Sequence, residues 1–469
     1  MQPVQIDPTS PLTPEQVVRV ARAGATVSLS AGASEAVRAC RAALEKTLDD
    51  GLPHYGINTG FGSLSNRRIN REDLATLQRN LIRSHAAGVG SPLEPEVVRG
   101  MILVQAASLA RGRSGVRPEV VQGLINLLNA GITPVVPESG SVGASGDLAP
   151  LSHACLVLIG EGEAWIGDRR VPGAEALRQA RIQPVELGAK EGLALINGTH
   201  LMAARMALIC EDLRRVFKGA LHACAMSIDG ARASHGFLDP RVYEARNQPG
   251  PRRVAAALRG LLAGSTIVES HRENDPRVQD PYSFRCAPIV LGAALDAIES
   301  CEARLRDELG AVSDNPLIFD NGAGVDIVSA GCFHGMPVAL PLDMLAIAIS
   351  HIAGIAERRV YHMLSVFDPH SELRAFLSPR PGLQSGYMIV QYSAAAMCNE
   401  LVGLANPASV ANISTCAGME DYNSFGPRSA AKAARGIDLC RSVVAISAPP
   451  AAPAAPAKHG RPRPPCACS

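Results

Sequence analysis

Gly140-Ser141-Val142-Gly143-Ala144-Ser145-Gly146-Asp147-Leu148-Ala149-Pro150-Leu151 is the stretch on which the reading of this chain turns. Read locally, it is a glycine-rich turn that leads into a helix. Read chemically, Ala144-Ser145-Gly146 can become an electrophile without any outside cofactor. The amide nitrogen of Gly146 attacks the carbonyl carbon of Ala144 and closes a five-membered ring. Loss of one water gives an imidazolone, and loss of a second at the Ser145 side chain leaves a methylidene-imidazolone (MIO). Glycine permits the close backbone approach, serine carries the hydroxyl that leaves, and alanine adds little bulk. Gly140 and Gly143 let the loop tighten around the reacting atoms. Two other loop chemistries are excluded. A P-loop lysine is absent, and the nucleophile elbow requires a second glycine where Asp147 stands.

Working outward, the 469 residues are 47% hydrophobic and 4% aromatic, enough for a large core built from Ala, Val, Leu and Ile. With 45 basic and 44 acidic residues, the chain carries no electrostatic footprint for nucleic acid or an anionic membrane. The twelve cysteines lack CxxC spacing. Likewise His54, His153, His200, His222, His235, His271, His351, His362 and His370 lack HExxH spacing, so no metal site is expected. The N-terminal residues do not read as a secretory signal. The apolar run Met344 to Ala356 is too short to span a bilayer. A reduced, cytoplasmic enzyme is the expectation.

Helical patterns of ordinary length cover Ser34–Leu48, Arg71–Ala87, Pro95–Ala110 and Pro118–Ala130, with Gly/Pro/Asn loops between them. Longer ones run over Gly198–Ala231, Ser283–Leu309, Met336–Leu364 and Gly386–Leu404. The fold class is therefore mainly α, a long-helix bundle preceded by a mixed N-terminal domain that carries the loop. The expected division is 1–197, 198–447 and a Pro/Ala-rich disordered tail over 448–469. Arg358 and Arg359 read as solvated or interface charges. Ser313-Asp314-Asn315-Pro316 reads as a turn capping a long helix.

The loop resembles the prosthetic-group loop of the MIO-dependent aromatic amino-acid lyase and aminomutase family, and the resemblance extends over roughly residues 10–447. Matching segments are Tyr55-Gly56-Ile57-Asn58-Thr59-Gly60-Phe61-Gly62, Ser84-His85-Ala86-Ala87-Gly88-Val89-Gly90 and Lys190-Glu191-Gly192-Leu193-Ala194-Leu195-Ile196-Asn197-Gly198-Thr199. They continue with Gln279-Asp280-Pro281-Tyr282-Ser283-Phe284-Arg285-Cys286, Ser313-Asp314-Asn315-Pro316, Phe333-His334 and Met419-Glu420-Asp421. Within the family the match is nearest to members that deaminate L-histidine to trans-urocanate and ammonia. The resemblance implies a long-helix fold of the ammonia-lyase type and a homotetramer whose active sites are shared between subunits. Tyr282 and Arg285 would then serve a tripeptide on another chain.

The same resemblance assigns roles. Tyr55 would be the base. Its phenol must fall well below its ordinary value of about 10, which demands positive potential, for example from helix N-termini. Arg285 would clamp the substrate carboxylate with its planar fork. Asn197 and Tyr282 would hydrogen-bond the cyclised tripeptide or the carboxylate. Gln279 would be a polar pocket position and Phe333 an apolar wall. Asp147 would assist ring formation. His85 and Glu420 would bind the two imidazole nitrogens, a pairing that a phenyl ring leaves unsatisfied. Either the substrate amine or its imidazole would attack the electrophile.

Two departures stand out. Met419 replaces the Gln or Thr common in histidine-acting members. Relatives continue in helix where this chain turns to proline after Ile446, as a frame-shifted GC-rich gene would. Two other outcomes are carried beside histidine deamination: another MIO enzyme acting on tyrosine or phenylalanine, and an inactive remnant with a shortened C-terminus.

Overall fold

The computed structural model describes residues 2–448, apart from 49, 51, 63–66, 274, 323, 366–370 and 372. His370 and the proline-rich tail beyond residue 448 lie outside the described residues. By contacts the chain divides into two units. The first comprises Met1–Asp212, Ile298–Ala346 and Ala405–Arg435, and the second Leu213–Ala297, Ile347–Leu404 and Gly436–Ser469.

The first unit is built from short helices edged by small sheets. Strands Val4–Ile6 and Val27–Leu29 pair in parallel, with helix Pro14–Ala23 between them in sequence. That helix opens on a capping box, in which Thr13 and Gln16 satisfy each other's free backbone amides. Helix Pro95–Leu109 is apolar over most of its surface, and twelve of the thirteen residues from Val97 to Leu109, all but Arg99, are buried, as expected of a core rod. Helix Glu191–Ile196 is fully buried. Strand Pro137–Ser139 pairs antiparallel with Val89–Pro92 and leads directly into the glycine-rich loop, which ends at helix Leu148–Leu158. A core of Cys40, Ala43, Leu44, Ile57, Leu74, Ala189 and Ile318 holds the Tyr55 loop through Ile57.

The second unit is helical. Helices Pro240–Arg246 and Pro249–Leu261 precede Ala287–Glu308, whose Gly292 packs so closely on Gly250 that a Cβ on Gly250 would lie 2.1 Å from the Gly292 oxygen. Phe284 meets the His362 ring edge-on with centroids 5.3 Å apart.

The expected long helices are found, with bounds His200–Gly230, Ala287–Glu308, Met336–Leu364 and Met388–Ala405. A further one, Gly426–Ser447, was not singled out by its apolar spacing. Helix Met336–Leu364 is long and apolar enough to cross a membrane by length and composition, but most of its apolar window is buried within the protein. Two expectations are corrected. Arg359 is not a solvated charge: it is wholly buried, and its Nη1 donates to the Ser283 carbonyl at 3.2 Å. Ser313-Asp314-Asn315-Pro316 caps no helix. It is buried between helix Ala287–Glu308 and strand Leu317–Asp320, and its side chains bond across the core instead.

Candidate active site

The glycine-rich loop is held by contacts at both ends. Gly140 approaches Gly88 so closely that a Cβ would lie 3.0 Å from the Gly88 Cα. Gly146 has φ +74°, and a Cβ there would strike the Gly198 oxygen at 2.1 Å, so only glycine fits. Backbone bonds seal this approach: Asp147 N donates to Gly198 O at 2.7 Å, and Gly198 N to Ser145 O at 3.3 Å. On the other side, Ser424 Oγ donates to Gly143 O at 3.0 Å, and Phe425 N to Val142 O at 2.9 Å.

Asp147 is completely buried, and its Oδ2 accepts from the Leu201 and Met202 amides at 2.9 and 3.2 Å. It therefore caps the start of helix His200–Gly230, where free N–H groups favour an acceptor. Burial pushes its carboxyl up to about 7, against the pull of those two amides and of Ser141, and nearby Glu308 adds to the rise. Glu308, itself raised by burial, accepts from Thr199 Oγ1. His200 is buried and kept neutral, its pKa lowered to about 3 by desolvation. Its Nε2 lies 3.4 Å from Ser313 Oγ. His153 accepts from Gly88 N at 3.0 Å and so supports the loop's neighbour rather than the chemistry.

Ala144 and Ser145 open on a cavity of about 990 Å³. Its lining includes Tyr55, His85, Asn197, Phe333 and Glu420, so five of the expected side chains converge on the tripeptide within one unit. Ser145 Oγ donates to Glu420 Oε1 at 3.0 Å, and Thr415 Oγ1 donates to Oε2 at 2.8 Å. Glu420 is set by a tight loop in which Thr415 N donates to Glu420 O at 2.8 Å. His85 closes helix Leu74–His85, its Nδ1 placed 2.9 Å from the Leu81 carbonyl and 3.0 Å from Ser84 Oγ. The carbonyl can only accept, so Nδ1 carries the proton and Nε2 is left as an acceptor in the neutral ring. Asn197 is buried, and its Nδ2 donates to Asp314 Oδ1 at 3.4 Å and Asn315 O at 3.2 Å.

Tyr55 OH accepts from Gly62 N at 3.4 Å. Its phenol stands above its ordinary value, because burial, Cys416 and Glu420 all raise it and only the Gly62 amide opposes them. The lowering that a base requires is therefore not present in this chain alone.

Gln279, Tyr282 and Arg285 belong to the second unit, and among the described residues they do not line this cavity. Tyr282 is 69% exposed. The Arg285 guanidinium carbon sits 4.6 Å from the Tyr282 ring centroid, a cation–π pair. The cavity also includes residues that sequence reasoning did not single out: Ser329, Cys416 and Tyr422, with Asn315 and His334, which were noted only within matching segments. His334 stacks on Tyr422, with ring centroids 6.3 Å apart. Its Nδ1 accepts from Met336 N at 3.3 Å, so Nε2 carries the proton donated to Tyr422 O at 3.1 Å. Cys416 and Ser329 had no local signal, since each is set by loop geometry.

The family model described as aromatic amino acid lyase matches residues 12–466. A protein named histidine ammonia-lyase from Anaeromyxobacter dehalogenans is 49% identical over 93% of this chain and 86% of its own length. Among solved structures, the histidine ammonia-lyase from Trypanosoma cruzi superposes with TM-score 0.87 at 38% identity, covering 96% of this chain and 84% of that one. The tyrosine aminomutase from Streptomyces globisporus superposes with TM-score 0.88 at 33% identity, covering 95% and 86%. With the glycine-locked tripeptide, the buried Asp147 and the carboxylate at Ser145 already in place, this chain belongs to the aromatic amino acid lyase family.

Proposed function

We propose that the protein removes ammonia from L-histidine to give trans-urocanate, using an electrophile made from its own Ala144-Ser145-Gly146. The hydrogen bond from Ser145 to Glu420 carries this reading, because it sets an imidazole-binding carboxylate against the reactive residue. The similarity to proteins named histidine ammonia-lyase, at 46–49% identity, supports it.

The loop fits the cyclised group. Gly146 is held against the Gly198 carbonyl where only glycine fits, Ala144 is small and buried, and Ser145 faces the cavity. When formed, the MIO supplies an electrophilic carbon that activates the departing nitrogen. Glu420 accepts one imidazole N–H. His85, with its Nε2 unprotonated, accepts an N–H from the substrate ring. Phe333 excludes water beside the ring. Asn197 holds a polar group of the substrate, and Tyr55 takes the β-proton.

The carboxylate clamp, Arg285 with Tyr282, and the pocket residue Gln279 are assigned to a site completed by another subunit, within a homotetramer. The apolar helix Met388–Ala405 supports assembly, since Ile389, Tyr392 and Val402 are each at least 59% exposed. A reducing cytoplasm suits a chain in which every described cysteine is free.

A second reading, an aminomutase acting on tyrosine, draws on the equally close superposition with the Streptomyces globisporus enzyme. Glu420, half-buried beside Ser145, weighs against it, because its carboxylate suits an imidazole N–H and a phenol ring offers none.

The test is urocanate formation from L-histidine followed by ultraviolet absorbance, beside the intact mass of the protein. Activity and a mass short by two waters, both lost in Ser145→Ala, are expected. A folded protein with no missing water refutes the electrophile and leaves the inactive remnant.

A further inference from the structure

The tight loop that carries Glu420 is not held by its own backbone preferences. Cys416 and Ala417 at its tip have φ +51° and +53°, the left-handed region that residues with a Cβ avoid. Two such residues in succession persist only where their surroundings fix them. The fixing comes from the neck of the loop, where Asn412 and Asn423 face each other. Asn423 N donates to Asn412 Oδ1 at 3.1 Å, and Asn412 Nδ2 donates to Asn423 O at 3.0 Å. The Asn412 side chain thus copies the paired bonds of a β ladder.

Asn423 is wholly buried, and its own side chain bonds within the loop. Nδ2 donates to Ile413 O and reaches Thr415 Oγ1 at 3.5 Å. Turning this amide over would set Oδ1 against the Ile413 carbonyl, acceptor against acceptor, so the NH2 group is the one that faces Thr415. The direction of the next bond follows. Asn423 Nδ2 can only donate, so it takes a lone pair of the Thr415 hydroxyl and leaves that hydroxyl's hydrogen for another partner. Thr415 Oγ1 lies 2.8 Å from Glu420 Oε2 and 3.3 Å from the Glu420 carbonyl oxygen. The charged acceptor at the shorter distance takes the hydrogen.

Two hydroxyls hold the Glu420 carboxylate in the uncyclised chain, Ser145 Oγ on Oε1 and Thr415 Oγ1 on Oε2. Dehydration of Ser145 removes the first. Among the described residues, Thr415 Oγ1 is then the side-chain donor that remains. With Oε2 pinned, Oε1 stays turned to the place the Ser145 hydroxyl has left. We propose that Asn423, clasped by Asn412 and acting through Thr415, is a positioning residue that keeps Oε1 of Glu420 open to the substrate ring and so sets the preference for an imidazole. The proposal deepens the reading above and rests on it in taking Glu420 as the acceptor of an imidazole N–H. The chain continues from the clasp into Ser424 and Phe425, whose bonds to Gly143 and Val142 hold the glycine-rich loop. A general collapse of the Glu420 loop would therefore reach the tripeptide and show as a failure to lose two waters.

The test is a pair of double-mutant cycles in the full-length protein, read as kcat/KM for L-histidine from urocanate absorbance, with the intact mass of each variant as the control for cyclisation. Thr415→Val removes the hydroxyl and keeps the shape. Asn423→Ala removes the amide and keeps the bonds to Asn412, which use only the Asn423 backbone. Each is made with Glu420 present and with Glu420→Gln. With Glu420 present, each is expected to lower kcat/KM about five- to tenfold, and Thr415→Ser, which restores the hydroxyl, to recover most of the loss. In the Glu420→Gln protein the hydroxyl would hold the amide oxygen and turn the NH2 to the ring. Its loss there should lower kcat/KM by less than about twofold, or raise it. If Asn423→Ala does not fold or cyclise, Thr415→Val and Thr415→Ser carry the test. Equal losses with Glu420 and with Gln mean that these residues only support the loop, and overturn the proposal. If Glu420→Gln lowers turnover and Thr415→Val does not, the imidazole reading stands and the proposal alone falls. If Glu420→Gln leaves L-histidine turnover unchanged, or the unvaried protein forms no urocanate, the reading falls and takes the proposal with it.

Discussion

Replacing Glu420 by Gln tests the substrate reading at one atom. The carboxylate now accepts from Thr415 Oγ1 at 2.8 Å and from Ser145 Oγ at 3.0 Å. Loss of the Ser145 hydroxyl on cyclisation would leave Oε1 open for an imidazole N–H. The substitution keeps size and shape. The loop is expected to survive, because its closing bond, Thr415 N to Glu420 O, is between backbone atoms. A hydrogen bond to a charged acceptor contributes about 1.5–3 kcal/mol and a neutral one about 0.5–1.5 kcal/mol. The difference, about 1–2 kcal/mol, corresponds to about a 5- to 30-fold fall in kcat/KM for L-histidine. The fall is larger if the new amide turns its NH2 to the substrate, donor against donor. L-phenylalanine, with no ring N–H, should lose nothing, and its turnover should rise as a desolvated charge is removed from its ring. The assay follows urocanate and cinnamate by absorbance in both proteins. Less than a twofold loss with L-histidine, or the same loss with both substrates, would refute imidazole recognition by Glu420.

Asp147 lies at about 7 in the folded chain against 3.8 for an unshifted carboxyl. Between these values the folded state holds a proton that the unfolded state has released, so this group stabilises on the acid side and its contribution is lost as pH rises through 7. Asp147→Asn should therefore flatten the stability measured by urea unfolding between about pH 5 and 8 by about 2–3 kcal/mol, and identical slopes would refute the buried protonated acid. Val402→Glu places a charge on the exposed apolar face of helix Met388–Ala405 and should shift light-scattering mass from tetramer to smaller species; an unchanged mass would remove that face from the interface. Tyr55→Phe and Arg285→Met chains, each nearly inactive alone, should recover activity when unfolded and refolded together, because some sites then receive neither defect. No recovery would place both residues in one chain's site.

Much of the fold is legible in the apolar spacing. Met336–Leu364 reads as helix from end to end because its apolar residues recur at helical intervals without a breaker other than Pro341. Gly426–Ser447 is less legible because alanine, glycine and serine dilute its apolar stripe. The interior polar residues are less legible. Ser, Asp and Asn ahead of Pro are the residue types of a helix cap or a turn, and nothing local distinguishes that use from Ser313-Asp314-Asn315 bonded across the core to Thr199, Lys190 and Ala330. Arg359 likewise reads as a solvated or interface charge, and nothing local marks Lys190 for the interior, since their burial depends on partners far away in sequence.

The site residues that could be named from motifs were those whose chemistry is local: the tripeptide, and the carboxylate and histidine suited to an imidazole. Their electrostatics could not be read in the same way. The need for a lowered Tyr55 follows from the reaction, but the surroundings in one chain act in the other direction, through burial first and then through Cys416 and Glu420. Bringing the phenol down requires a cation close to the cavity, and the substrate carboxylate requires one as well. Arg285 meets both needs in chemical type, and its Nε has no hydrogen-bond partner among the described residues while Tyr282 beside it is exposed. A group left unpaired in the isolated chain and a base left too weakly acidic are complementary deficits. Assembly that brings Arg285 of one subunit to the cavity of another would remove both at once, so the activity of Tyr55 should depend on the oligomer even if every lone chain is folded and cyclised.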